Sequence, residues 1–578
     1  MDVSELVRGL LVKRGIVTDE HIATFLNPDY DLHTHSPFLL EGMDKAVARL
    51  LRAIEKNERI AVYADFDCDG IPGAALLSDF FQKIGYANLP DGKAGFEVYL
   101  PHRDREGYGF HIEAIEALAE RGVKLIITVD VGTTAVEAIA FAKDKGVDVI
   151  VTDHHEIVSE LPAAVAILNP KLGEYPFRDL CGAAVAFKLV HATLIEGRKR
   201  ATPRFAAIPE GWEKWLLDLV AIATIADMVP LVGENRVLAH YGLRVLRKSP
   251  RPGILALCNR LRLHRAELTE DDIGFSIAPR INAASRMGEP ELAFRLLSTH
   301  DADGAEQLAA QLEDLNAKRK TAVATIVRAA KKHVATRFRS DERVITLGDT
   351  SWKPALLGLA ANSIMGERGG IVCLWGRDAK GRLKGSCRSD GSVSVIELFA
   401  LAADSFEEYG GHAASCGFSV SHEKVHSLHE TLSDALNKMI APDAPGGARL
   451  RRGSGEAKAD AELSLSDVAW SLFEDVTRLA PFGMGNRKPI FRIGGNIVTE
   501  VRRFGKEKGH IEVMLECRTT GTKARAFDFF ASSEDFTMPP VAGTEAFVLG
   551  TIERDSFRGG LAVRLVDILP LERDTIAA

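Results

Sequence analysis

Three short apolar runs shape the first third of the chain, and each stops at an acidic residue. Ile60-Ala61-Val62-Tyr63-Ala64 runs into Asp65, the run 124–129 ends in Asp130, and the run 147–152 ends in Asp153-His154-His155. Their length and β-branched content read as buried strands. Between them, 71–84, 111–121 and 134–145 carry apolar residues at helical spacing. Strands alternating with helices predict a parallel sheet covered on both faces. Ligands of such sheets gather at the carboxyl ends of the strands, so Asp, Asp and Asp-His-His arrive at one edge. The stretch 215–230 fits a helix better than a strand, with Asp227 near its end before Pro230. By pattern alone an Asp there is a cap.

Farther along, 241–340 reads as helical, and 302–338 contains no proline, so one or two long helices would make a rigid connector. A strand at 343–347 opens a second α/β domain that continues to about 440. Pro442-Asp443-Ala444-Pro445-Gly446-Gly447 is a linker by composition. The runs 511–517, 524–530, 546–552 and 561–568 are short, alternating and separated by turn residues, which predicts a small β-barrel. The expected organisation is an N-terminal segment 1–44, an α/β domain 45–240, a helical connector 241–340, a second α/β domain 341–441 and a barrel domain 448–578.

Composition narrows the class without choosing within it. With 46% apolar and 26% charged residues, the 578-residue chain is an ordinary globular sequence. No apolar run approaches the roughly 20 residues a membrane span needs. The N-terminus lacks a secretory pattern. Seven cysteines without a C-x-x-C pair argue against a disulfide framework or a zinc ribbon. A cytoplasmic location is expected. The net charge of −8 does not advertise a nucleic-acid binder, so local patches matter more. Basic residues cluster at 244–265, at 449–452 and at Arg502-Arg503. The first reads equally as the polar side of packed helices, the second as a solvated run beside a linker.

The chemistry concentrates in Asp65-Phe66-Asp67-Cys68-Asp69-Gly70. Carboxylates at alternate positions repel one another and take up protons unless cations neutralise them. An all-oxygen cluster suits Mg²⁺ or Mn²⁺, although alone it is also compatible with a solvated acidic loop.

DFDCDG, TVDVGTT, TDHH and ATIADMVPL, in this order and spacing, resemble the four motifs of the DHH phosphoesterase superfamily. The segments 180–188 (LCGAAVAFK), 278–284 (APRINAA), 410–413 (GGHA) and 481–486 (PFGMGN) are similar to those of the RecJ family of bacterial single-strand-specific exonucleases, across roughly residues 45–570. The resemblance implies a DHH parallel-sheet domain and a DHHA1 domain joined by the helical connector, followed by an OB-type barrel. It implies two divalent metal ions, Mn²⁺ preferred or Mg²⁺, held by Asp65, Asp67, Asp69, Asp130, His154 and Asp227, with Asp130 as the bridge.

Asp153 would orient His154 or His155, and His155 would contact the scissile phosphate or assist the leaving group. Arg103, Arg280, Ser386, Arg388, Gly410, Gly411 and His412 would bind the substrate phosphate, and Tyr108 would stack on a base. For each arginine the alternative is a salt bridge, and for Tyr108 a place in the core. The implied activity is 5′-to-3′ hydrolysis of single-stranded DNA in repair and recombination. The implied enzyme is a monomer that works with a single-stranded-DNA-binding protein and a RecQ-type helicase, away from membranes. Two readings compete: a DHH phosphodiesterase for short oligonucleotides or cyclic dinucleotides, and a non-catalytic scaffold. The extra barrel disfavours the first, and the filled ligand positions disfavour the second.

Overall fold

A computed structural model describes residues 3–86, 95–157, 160–200, 203–440, 458–505, 508–555 and 558–571. The linker expected at 442–447 and the basic run 449–452 lie outside these residues. The chain divides into two compact units, a larger one of 34–229 and 233–453 and a smaller one of 1–33, 230–232 and 454–578.

In the larger unit the first sheet is formed by β1 (Arg59–Ala64), β2 (Gly95–Tyr99), β3 (Val123–Val129), β4 (Asp148–Thr152) and β5 (Ala166–Leu168). Their order is β2-β1-β3-β4-β5, with every pairing parallel. The expected helices occupy Gly70–Lys83, Ile112–Glu120 and Val136–Asp144, joined by Gly182–Lys199 and Leu217–Ala226. β1, β3 and β4 are buried along nearly their whole length because helices cover both faces, which is why they lack strict polar alternation.

One 36-residue helix spans Ala302–Arg337, started by Asp301, whose carboxylate accepts from the N–H groups of Asp303 and Gly304. Its buried positions fall into two stretches, Ala305 to Asn316 and Ile326 to Val334. The second stretch packs into the core of the second α/β domain beside Ile345, Leu356 and Leu374. That domain is a mixed sheet of β6 (Val344–Gly348), β7 (Ile371–Arg377), β8 (Leu383–Ser389), β9 (Glu408–His412) and β10 (Ser415–Val420), ordered β6-β7-β8-β10-β9.

The smaller unit is built on β11 (Ala461–Ser464), β12 (Phe491–Phe504), β13 (His510–Cys517), β14 (Lys523–Asp528), β15 (Glu545–Arg554) and β16 (Leu561–Pro570). The order β12-β13-β14-β16-β15 closes through β12–β15 pairing, giving a five-stranded barrel with β11 added alongside β12. Segment 1–44 is divided between the units. Its first two helices, Glu5–Lys13 and Asp19–Leu26, place Val7, Leu10, Leu11, Ile22, Phe25 and Leu26 in one core with the barrel interior. Among the described residues no helix is long and apolar enough to cross a membrane. All seven cysteines are free and buried.

Candidate active site

The backbone ladder of the first sheet runs one residue past three strand ends. Asp65 N–H donates to Val129 O (3.0 Å), Asp130 N–H to Thr152 O (2.9 Å) and Asp153 N–H to Leu168 O (3.0 Å). The three aspartates therefore stand level on neighbouring strands. Asp130 has φ +61°, a left-handed conformation that Asp tolerates better than most residues. It packs against Gly182, where a Cβ would come within 2.7 Å of the Asp130 Cβ.

Asp67 and Asp69 come from the turn into the helix Gly70–Lys83. Asp67 Oδ1 accepts from the N–H groups of Asp69 (2.8 Å) and Gly70 (3.2 Å). Asp69 accepts from Gly182 (2.6 Å) and Ala183 (2.7 Å), buried amides at the start of an 18-residue helix that have no acceptor within the helix. Gly70 is required here, because a Cβ would lie 2.2 Å from Asp65 O.

His154 Nε2 lies 3.1 Å from Asp130 Oδ1, 3.6 Å from Asp227 Oδ2 and 3.7 Å from Asp69 Oδ2. Asp227, which the pattern alone left as a cap, does cap the helix Leu217–Ala226, and its carboxylate joins this cluster. Three overlapping groups, Asp65-Asp67-Asp130, Asp69-His154-Asp227 and Asp130-His154-His155, each have donor atoms within 4.8 Å of one another.

Burial, then mutual repulsion, pushes Asp65 and Asp130 well above the usual carboxylate range, Asp69 up to about 7 and Asp227 up to about 8. Burial lowers His154 to about 4, leaving a neutral imidazole. Asp65 Oδ1 and Asp130 Oδ1 are buried without a hydrogen-bond partner. Oxygen-rich donors, one neutral nitrogen and orphaned carboxylate oxygens fit divalent cations of the Mg²⁺/Mn²⁺ kind.

Asp153 does not face this cluster. It accepts from the N–H groups of Thr133 (2.9 Å) and His154 (2.8 Å) and from His155 Nδ1 (2.7 Å). Burial opposes its ionisation, yet the bond and charge of His155 together with Thr133 hold it below the usual carboxylate range. Asp153 also lifts His155 above the ordinary histidine value, against the pull of burial. Of the two histidines, Asp153 thus orients His155. Tyr108 is 51% exposed, so it is no core tyrosine; its hydroxyl donates to Asp130 O (3.2 Å) and meets His155 Nδ1 (3.2 Å).

A cavity of about 530 Å³ opens beside the cluster, with Phe66, Arg103 and Tyr108 on one wall and Lys384, Ser386 and Tyr409 on the other. Ser386 and Arg388 alternate along β8 and so project from one face. Arg388 donates to Ser386 Oγ (2.9 Å) and its own neighbour's carbonyl (2.8 Å). Gly358 makes room for it, since a Cβ there would lie 2.5 Å from Arg388 Nη2. Arg103 stacks 4.9 Å from the Phe66 ring centroid.

The arginine missed in the sequence is Arg286. It donates to Ala355 O (2.7 Å), and burial followed by the charges of Arg103, Arg319 and Arg388 pushes it down to about 9. Arg280 instead pairs with Glu313 (2.8 Å) and Ser276 O (3.0 Å), the salt-bridge alternative. Both arginines lie on the helix Ala278–Met287, six residues and therefore about 120° apart around its axis. Only the helix phase separates them, and no local signal does.

Gly410 lines the cavity and a Cβ there would meet nothing. Gly411 has φ +146°, and a Cβ would lie 2.3 Å from Ser415 O, so strand packing alone demands glycine there. His412 is exposed at the end of β9.

Three family models match in succession: the DHH family N-terminal domain over 59–224, the DHHA1 domain over 341–438 and the RecJ OB domain over 459–566. The chain is 30% identical over 578 residues to the single-stranded-DNA-specific exonuclease RecJ of Haemophilus influenzae, covering 98% of this chain and 95% of that one. It is 33% identical over 518 residues to RecJ of Bacillus subtilis, covering 89% of this chain but spanning only 62% of the relative's length. The crystal structure of Thermus thermophilus RecJ in complex with Mn²⁺ superposes with a TM-score of 0.78 at 28% identity, covering 99% of this chain and 76% of that one. A structure of exonuclease RecJ bound to manganese gives 0.58 at 31% identity, covering 70% and 96%. With near end-to-end similarity to one relative and all three domain models in order, the chain belongs to the RecJ family of divalent-metal-dependent DHH exonucleases.

Proposed function

We propose that the protein hydrolyses single-stranded DNA from its 5′ end, releasing nucleotides, in DNA repair and recombination. One observation carries this reading. A buried carboxylate cluster with two orphaned oxygens faces arginines, Arg103, Arg286 and Arg388, for which no carboxylate partner occurs among the described residues. Cations without counter-ions await an anion, and carboxylates that repel one another await cations.

In this reading Asp65, Asp67, Asp69, Asp130, His154 and Asp227 would hold two divalent ions, and Asp130, which belongs to two of the three donor groups, would serve both. When bound, such ions supply Lewis-acid neutralisation of phosphate charge and a lowered pKa for an attacking water. The neutral imidazole of His154 tilts the preference toward Mn²⁺ over Mg²⁺. Arg103, Arg286, Ser386 and Arg388 grip the terminal 5′-phosphate, and Gly410 lets backbone approach it. His155, held in one orientation by Asp153, stands at the scissile phosphate and passes a proton to the leaving 3′-oxygen as the P–O3′ bond breaks. The shortened strand then carries a 5′-phosphate that fits the same clamp.

The barrel adds grip. Phe529 and Phe530 are 43% and 88% exposed, and Arg564 lies 4.4 Å over the Phe529 ring, a surface suited to stacking bases. We propose cytoplasmic action as a monomer, alongside a single-stranded-DNA-binding protein and a RecQ-type helicase. A time course with Mn²⁺ on 5′- and 3′-labelled single strands, DNA against RNA, tests the activity. Immediate release of 5′ label as mononucleotide from DNA is expected. Early release from the 3′ end, or equal attack on RNA, would overturn the reading.

A further inference from the structure

The loop between β1 and the helix Gly70–Lys83 decides whether Asp65, Asp67 and Asp69 converge. Several of its anchors are close by: Asp67 Oδ1 caps Asp69 and Gly70, and Asp65 N–H extends the sheet. One anchor comes from 214 residues away, where Asn282 Oδ1 accepts from the backbone N–H of Cys68 at 3.1 Å. Cys68 sits between Asp67 and Asp69 and is 1% exposed, so its N–H has no access to bulk water. A buried amide without an acceptor is costly, and the loop would turn to find one. Because the partner is a backbone donor, the oxygen of the Asn282 amide must face the loop.

Asn282 lies on the helix Ala278–Met287 four residues before Arg286, on the same face. Arg286 in turn donates to Ala355 O in the helix Pro354–Arg368 of the second α/β domain. One helix face thus touches the acidic loop at one turn and the arginine cluster at the next.

We propose that Asn282 is a positioning residue for the metal-binding loop, and that its helix braces that loop and the phosphate-gripping Arg286 as one rigid piece. The inference rests on the metal reading given above. Asn282 acts through Cys68 N–H by fixing the turn that aims Asp67 and Asp69. Its role requires only an acceptor, and this separates it from simple packing.

The test is calorimetric titration of Mn²⁺ into the full-length protein, Asn282→Ala and Asn282→Asp, with thymidine 5′-monophosphate binding measured separately in chelator. Asn282→Ala is expected to bind Mn²⁺ about tenfold more weakly or worse, with nucleotide binding within about twofold of the parent because Arg286 is untouched. Asn282→Asp keeps an acceptor and should bind Mn²⁺ at least within about threefold of the parent. Parental Mn²⁺ affinity in Asn282→Ala, or an equal loss in both variants, would overturn the proposal. Should Asn282→Ala not fold, Asn282→Asp still decides, since a tenfold loss there contradicts the acceptor role. A parent that takes up no Mn²⁺ would remove the metal reading itself and the inference with it.

Discussion

Asp130 carries several burdens at once: a left-handed backbone, a level position on the central strand, and a buried oxygen that accepts no hydrogen bond. Asp130→Asn keeps the backbone preference and the shape but removes the charge. Activity is expected to fall at least a hundredfold, while the metal-free variant melts higher than the parent because repulsion is relieved. Activity within tenfold of the parent would refute a shared-ligand role. The raised carboxylates also set a pH dependence. Asp69 and Asp227, at about 7 and about 8 instead of 3.8, keep protons in the folded metal-free protein that the unfolded chain releases. That stabilisation is complete below about pH 4 and lost as pH rises through about 7 to 8. The melting temperature in chelator should therefore fall across this window, and the rise produced by Mn²⁺ should grow. A flat profile would contradict the buried cluster. The two arginines of one helix provide a third contrast. Arg286→Ala should raise KM for 5′-phosphorylated strands more than tenfold, about the worth of a charge-assisted bond. Arg280→Ala, which strands Glu313 and frees the Ser276 carbonyl, should leave KM alone and cost about 1–2 kcal/mol of stability.

At the scale of elements, the second α/β domain shows how one glycine in a helix serves a strand opposite. Gly358 in Pro354–Arg368 leaves the space that the Arg388 guanidinium fills. Gly358→Ala should displace that guanidinium and weaken binding of thymidine 5′-monophosphate, yet leave Mn²⁺ affinity unchanged by calorimetry. Unaltered nucleotide affinity would mean that Arg388 grips no phosphate. The strands and helices themselves were legible from their apolar runs, and so was the long helix, because no proline or glycine cluster interrupts 305–337. The assignment of Arg280 to phosphate was open in sequence to a salt bridge, and the structure supplies that bridge. A pattern records which face of a helix is apolar, but not which of two polar directions meets a carboxylate.

At the scale of the whole chain, the smaller unit is assembled from both ends, and this changes what a truncation would do. Ending the protein at 453 would strip the barrel from the helices Glu5–Lys13 and Asp19–Leu26 and leave Val7, Leu10, Leu11 and Phe25 without their core. Such a protein should expose apolar surface and aggregate, as read by dye binding and light scattering. Residues 34–453, lacking both ends, should remain soluble, bind Mn²⁺ and cleave very short oligonucleotides, while holding long strands less tightly. Equal solubility of the two truncations would refute the shared core.

By itself the sequence determined the α/β class, the strand ends that carry Asp65, Asp130 and Asp153-His154-His155, the barrel, and the family. Those features are local or ordered along the chain, so residue type and spacing encode them. Tertiary structure alone decided that Asp227 joins the cluster as well as capping its helix, that Asp153 serves His155, that Arg286 is buried beside Arg103 and Arg388 while Arg280 pairs with Glu313, and that the first 33 residues complete the barrel's core. Each of these depends on what lies across space from a side chain. Apart from Asp153 and His155, which are close in sequence, partners dozens to hundreds of residues away supply the burial, the counter-charge and the acceptor that give one aspartate or arginine its task, and none of these leaves a mark in the neighbouring sequence.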